Sequence, residues 1–198
     1  MTTLLDPVTT AAARSAELEA EVATAPERFR VLTGDRPTGP LHLGHLFGTL
    51  ANRVRLQQAG VEVIVLVADY QVITDRDVAG DLPAAVTGLL LDQLAAGLDP
   101  ELTTFFCHSA VPPLNQLLLP FLSLVSVAEL QRNPTVKAEA EATAGRPLSG
   151  LLLTYPVHQA ADILFCKANV VPVGKDQLPH LEQTRVVARR FDETFGRA

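Results

Sequence analysis

The chain is poor in the residues that would announce several common functions. It has only three lysines, Lys137, Lys167 and Lys175. Any lysine that does phosphate chemistry must therefore come from that short set. With a formal net charge of -6, the chain does not fit a protein that holds nucleic acid by bulk electrostatics, although a local basic patch stays open. Its two cysteines, Cys107 and Cys166, lack metal-ligand spacing and read as buried thiols in a reducing compartment. No apolar run approaches the roughly 20 residues of a membrane-spanning helix. The N-terminus lacks a basic start, and Asp6 and Pro7 interrupt its apolar residues, so it does not read as a secretory signal. We read the chain as cytoplasmic. There is no internal repeat, no G-x-G-x-x-G fingerprint and no P-loop, because no G-K-[ST] follows the glycine-rich turn.

What is present is a 198-residue chain that is 47% hydrophobic, enough for one domain with a sizeable core. Residues 1–28 read as an N-terminal extension, helical over Thr9–Val22 and closed near Pro26. From residue 29 onward, strand and helix alternate. Phe29–Thr33, Val61–Ala68, Thr103–His108 and Asn169–Val173 read as strands. Helices are expected from Leu43 to about Gln58, from Asp81 to near Gly97, over Leu151–Phe165 and over Asp176–Phe191. Pro112 and Pro113 open a leucine-rich helical stretch, and residues 137–149 read as a mobile loop or weak helix. Alternation of this kind predicts an α/β domain over residues 29–198 with a doubly wound parallel sheet. In such sheets ligands sit at the carboxyl ends of the strands. Gly34–His45, Asp69–Asp77 and Gly174–Gln177 all follow strands.

Three stretches carry chemistry. The first, Thr33–Gly48, reads TGDRPTGPLHLGHLFG. Gly34 and Gly39 allow close backbone approach, and Pro37 stiffens the loop between them. His42 and His45 stand three apart at the start of a helix, beside its positive end, where phosphate is favoured. The bland alternative is a pair of structural histidines on an ordinary helix. In the second stretch, Tyr155–Leu164, Asp162 stands among apolar neighbours, where a carboxylate needs a donor; a satisfied structural aspartate is again the bland reading. The third, Val171–Gln177, reads as a strand, a glycine turn and a helix start that offers Asp176 and Gln177 to hydroxyls or an amino group.

His42-Leu43-Gly44-His45, led in by Pro37-Thr38-Gly39, resembles the first signature of class I aminoacyl-tRNA synthetases. YPVxxAADIL followed by VPVGxDQxxHLExxR resembles the tryptophanyl-tRNA synthetases, and the likeness runs from about Arg30 to Phe191. The residues His42, His45, His158 and Gln159, together with the run 67–75, resemble an actinobacterial-type variant with an altered tryptophan pocket.

The resemblance implies a Rossmann-like fold of the type shared by class I synthetases. It also implies activation of tryptophan by ATP, with Mg²⁺, to tryptophanyl-adenylate for transfer to tRNA(Trp), by a homodimer. By position it implies that Arg36, Pro37, Thr38, Gly39, His42, Gly44, His45, Gly174 and Asp176 hold ATP, and that His42, His45 and Lys137 meet the reacting phosphates. Leu32, Tyr155, Gln159, Asp162, Val171, Val173 and Gln177 would hold tryptophan, with Asp162 accepting from the indole N–H. Lys137 could equally be a solvated side chain. No protein-held metal is implied.

The family's Lys-Met-Ser-Lys-Ser signature and helical anticodon-binding domain do not occur before Ala198. The expectation is therefore a shortened synthetase. The alternatives are a paralogue that activates an amino acid without charging tRNA, or a non-catalytic tryptophan- or ATP-binding module.

Overall fold

The computed structural model describes residues 7–74, 80–142 and 147–196. The core of the fold is a parallel sheet of β1 (Arg30–Asp35), β2 (Glu62–Val67) and β3 (Thr103–Cys107), in that spatial order. The central strand β2, EVIVLV, is β-branched and apolar and is buried from Val63 to Val67, as a strand covered on both faces must be. Alternate residues face opposite layers. Val31, Val63 and Val65 pack with Phe105 against Leu56 and Val54 of a helix, and against Val22 and Leu18 of the N-terminal helix α1 (Pro7–Thr24). Leu32, Ile64 and Leu66 pack with Phe106 on the other side, against Ile163, Cys166 and Leu181. Helices thus cover both faces, as the alternation predicts.

Between β1 and β2 the chain runs through α2 (Leu43–His45), a π turn over Leu46–Leu50 and α3 (Ala51–Gln58). The helix expected from Leu43 to about Gln58 is thus one rod with a widened turn inside it. Gly60, at φ +88°, stops it in a conformation that suits glycine. α4 (Leu82–Ala95) joins β2 to β3; Asp81 caps it by accepting from Ala84 N at 3.1 Å. After β3 come α5 (Pro112–Gln116), α6 (Leu118–Leu122), α7 (Val127–Arg132), α8 (Pro134–Ala142), α9 (Gly150–Phe165) and α10 (Leu178–Phe195). These helices share a second core of Leu114, Phe121, Leu130, Val157, Ala160, Ala161 and Val187.

One expected strand is not formed. Of Asn169–Val173, only Val170 pairs with the sheet, through a single parallel bridge to Val31. Two residues on, Pro172 has no N–H to donate to a ladder. The bridge still fixes the topology. The chain crosses from β3 to the opposite edge and returns beside β1, so the winding reverses at β1. The carboxyl end of β1 is therefore the crevice where an open α/β sheet binds its ligand.

Candidate functional site

β1 ends in the loop that carries Arg36, Pro37, Thr38 and Gly39. Pro37 is buried, whereas Thr38 and Gly39 are exposed, and Thr38 N donates to Arg36 O at 2.9 Å. The next turn shows what the two histidines do locally. His42 Nδ1 accepts from Gly44 N at 3.0 Å, and His42 N donates to His45 Nδ1 at 3.2 Å. Each side chain thus caps backbone near the other, with ring centroids 4.0 Å apart. A Cβ on Gly44 would lie 2.8 Å from His42 Cε1 and push that ring aside. Because capping uses Nδ1 of both rings, Nε2 is the nitrogen that each offers to a ligand. His42 is exposed and His45 half-buried.

The third motif lies across the crevice. Asp176 accepts from Gln177 Nε2 at 2.8 Å, and its Oδ1 sits so close to Gly174 that a Cβ there would lie 2.5 Å away. Thr135 Oγ1 donates to Asp176 O at 3.1 Å, which brings the start of α8 beside this turn. Lys137, one turn along α8, is exposed.

Tyr155 links the two sides. Burial holds its phenol above the ordinary range; Glu139 and Asp176 act in the same direction, while Arg36 opposes them. Arg36 and Asp176, drawn from two distant motifs, thus each lie within electrostatic reach of Tyr155. Tyr155 Oη lies 3.1 Å from His180 Nε2, and Asn133 Nδ2 lies 3.4 Å from His180 Nδ1. His180 is fully buried, and desolvation pushes its pKa down to about 4 against the opposing pull of Asp176. It is a neutral imidazole that braces the phenol.

Deeper still, Asp162 has a buried partner, His108, that sequence reasoning missed. Asp162 is only 3% exposed. Its Oδ1 lies 2.9 Å from Nε2 of His108, the residue that follows β3, and His108 is wholly buried. The His158 ring lies tilted against His108 at 4.5 Å, and its Nε2 reaches Asn115 Oδ1 at 2.9 Å; burial lowers its pKa. Tyr70 flanks His108 at 6.0 Å. The signal was available: a carboxylate in an apolar helix demands a donor, and His108 is a buried polar residue at a strand's carboxyl end.

The ligand atoms of His108, His158 and Asp162 lie within 4.8 Å of one another. His108 Nε2 is engaged by Asp162 and His158 Nε2 by Asn115, whereas the buried His108 Nδ1 has no hydrogen-bond partner among the described residues.

Of the remaining expected residues, Leu32 and Val171 join one apolar cluster under the crevice. Gln159, Val173 and Gln177 are half-buried. The run 67–75 is described through Thr74: Asp69 is buried, and its Oδ1 accepts from Ser109 N at 3.2 Å, tying the ends of β2 and β3 together. Asp75 lies outside the described residues. Burial pushes the Cys166 thiol up to about 11, so it is inert at neutral pH.

The chain resembles known proteins in sequence and in fold. Residues 24–197 match the family model described as tRNA synthetases class I (W and Y). The chain is 48% identical over 168 residues to the tryptophan–tRNA ligase of Streptococcus mutans, covering 83% of this chain and 49% of that protein. A crystal structure of tryptophanyl-tRNA synthetase from Campylobacter jejuni, complexed with ADP and tryptophan, superposes with a TM-score of 0.77 at 31% identity, over 84% of this chain and 51% of the other. Tyrosyl-tRNA synthetase from Archaeoglobus fulgidus shares the fold, with a TM-score of 0.70 at 24% identity over 89% of this chain and 55% of that one. The chain spans about half the length of the curated relatives it matches.

Proposed function

The chain belongs to the class I tRNA synthetases for tryptophan and tyrosine, and from that premise we propose that it activates tryptophan with ATP. The observation that carries the choice of amino acid is the 48% identity to tryptophan–tRNA ligases over 168 residues.

The reaction is an in-line displacement at the α-phosphorus. A tryptophan carboxylate oxygen forms the new P–O bond, the bond to the β-phosphate bridge breaks, and pyrophosphate leaves with its charge. No proton need move, so catalysis rests on positioning and on stabilising charge. Pro37, Thr38 and Gly39 line the α-phosphate. Nε2 of His42 and of His45 donates to phosphoryl oxygens, and Gly44 lets the helix end approach. Arg36 and Lys137 add positive charge from either side of the crevice. Asp176, held against Gly174, takes the ribose hydroxyls.

Leu32, Val171 and Val173 form the walls of the indole slot, and Asp162 accepts from the indole N–H. Tyr155, Gln159 and Gln177 orient the ammonium and carboxylate. The phosphate end offers imidazoles and backbone N–H groups rather than a carboxylate cage, which suits a magnesium ion carried by the nucleotide. That ion would neutralise phosphate charge.

Transfer of the aminoacyl group to tRNA(Trp), assembly as a homodimer through the leucine-rich segment 114–130, and work in the cytoplasm complete the reading. Among the described residues no helix is long and apolar enough to cross a membrane. The decisive experiment is ATP–pyrophosphate exchange with each aromatic amino acid. Exchange that depends on tryptophan, and not on tyrosine or phenylalanine, is expected. No exchange and no binding of tryptophan or ATP would defeat the reading.

A further inference from the structure

The loop between β1 and α2 is held at both ends by one helix that none of the three motifs includes. At its start, the Asp35 carboxylate is gripped by Arg53 of α3, with Nη1 on Oδ2 at 2.5 Å and Nη2 on Oδ1 at 3.1 Å. Gln93 of α4 donates from Nε2 to the same Oδ2 at 3.2 Å. At the loop's far end, Leu41 N donates to Asp92 Oδ2 at 2.9 Å. Asp92 and Gln93 are sequence neighbours, so their side chains diverge by about 100° around the helix, one reaching each end.

The buried group is costly. Arg53 is 3% exposed and Gln93 fully buried. Arg53 Nε and Gln93 Oε1 also have no hydrogen-bond partner among the described residues. A buried ion pair with orphaned neighbours is a poor source of stability compared with apolar packing of the same volume. What it does supply is a fixed position for Asp35, immediately before the loop.

We propose that Asp92 and Gln93 are positioning residues for the nucleotide. By pinning both ends of Asp35–Leu41 they hold the loop's backbone N–H groups aimed at the α-phosphate before ATP arrives. The inference rests on the reading of residues 36–45 as the nucleotide site. Ordering the loop in advance removes an entropy cost from binding, which is how preorganisation raises affinity.

The test titrates ATP and tryptophan separately into wild type, Asp92→Leu, Asp92→Asn, Gln93→Leu and a control, Leu91→Ala, which is exposed on the same helix. Amide exchange is followed across residues 36–42. Asp92→Leu should weaken ATP about tenfold and speed exchange at Leu41, with tryptophan affinity and melting temperature near wild type. Asp92→Asn, which keeps an acceptor, should restore ATP affinity to within about threefold. Gln93→Leu should also weaken ATP selectively.

If wild type binds ATP and both leucine variants bind it equally well, the positioning role is wrong. A joint fall in ATP affinity, tryptophan affinity and melting temperature would overturn it too, because that pattern marks a purely structural role. If wild type binds no ATP at all, the nucleotide-site reading itself fails and takes the inference with it.

Discussion

The five histidines divide between the two ends of the crevice, and the division shows how differently those ends are built. His42 and His45 sit at the phosphate end, exposed and half-buried, and bond to local backbone within three residues. His108, His158 and His180 are buried at the amino-acid end and bond to side chains 25 to 54 residues away. A residue of the first kind can change with a local effect, because water replaces whatever is lost. One of the second kind cannot, because its partner is left buried and unpaired. In the function proposed above, the first end would meet phosphate charge with N–H groups near solvent, and the second would meet shape and a single N–H in a dry setting.

Asp162→Asn probes this contrast hardest. The variant keeps an acceptor for His108 but loses the charge that favours an indole N–H. Tryptophan affinity should fall by about 10³-fold or more, since an unmatched buried polar contact discriminates far more strongly than apolar shape. ATP affinity should stay within a fewfold of wild type. Isothermal titration of each ligand, with melting curves, checks this. An unchanged preference for tryptophan over phenylalanine in a well-folded variant removes Asp162 from the specificity role and leaves it as the partner of His108.

The next largest effect is on stability against pH. His180 has a folded pKa of about 4, below the ordinary value of 6.5. Between those values the unfolded chain binds a proton that the folded one does not. Stability is therefore fully present above pH 6.5 and falls as pH drops toward 4, by about 3 kcal/mol from this group. The lowered pKa of His158 acts in the same direction. Urea midpoints measured across pH 4–7 should show this slope, and His180→Gln should flatten it. His42→Gln should leave the slope intact.

At the phosphate end the effects should be smaller and confined to the nucleotide. His42→Ala or His45→Ala should weaken ATP about tenfold and lower stability by about 1 kcal/mol, the usual worth of a cap. Tryptophan binding should not change. Equal ATP affinity in both variants would remove the imidazoles from the site.

Gly44→Ala should give the smallest effect. The added methyl displaces the His42 ring, so about 1 kcal/mol of capping is lost and ATP affinity falls by a fewfold. A variant whose ATP affinity matches wild type would show that the His42 ring position is irrelevant to the nucleotide.

Much of this arrangement was legible in the sequence because it is local. β1 to β3, the Asp81 cap and α9 follow from apolar runs and capping residues within a few positions of one another. Arg36, Tyr155 and Asp176 were legible through motif order alone. The His108–Asp162 contact was not, because 54 residues separate its members and neither stands in a spacing that marks the other. The Asp92–Leu41 tie escaped for the same reason. The expected strand at Asn169–Val173 reduced to one bridge because β propensity counts side chains, whereas a ladder needs an N–H that Pro172 lacks.

That single bridge leaves the segment carrying Val171, Val173 and Gly174 as a span between two supports. It is clamped at its root, where Asn169 Nδ2 donates to Arg28 O at 2.8 Å, Asn169 Oδ1 accepts from Arg30 N at 2.8 Å, and Leu32 N donates to Val170 O at 3.1 Å. Beyond Val170 no ladder bond to β1 follows among the described residues. Its far end is held where Thr135 Oγ1 donates to Asp176 O at 3.1 Å, and a beam held at both ends yields most between them. Small deflections there change the width of the crevice while β1, β2 and β3 keep their register.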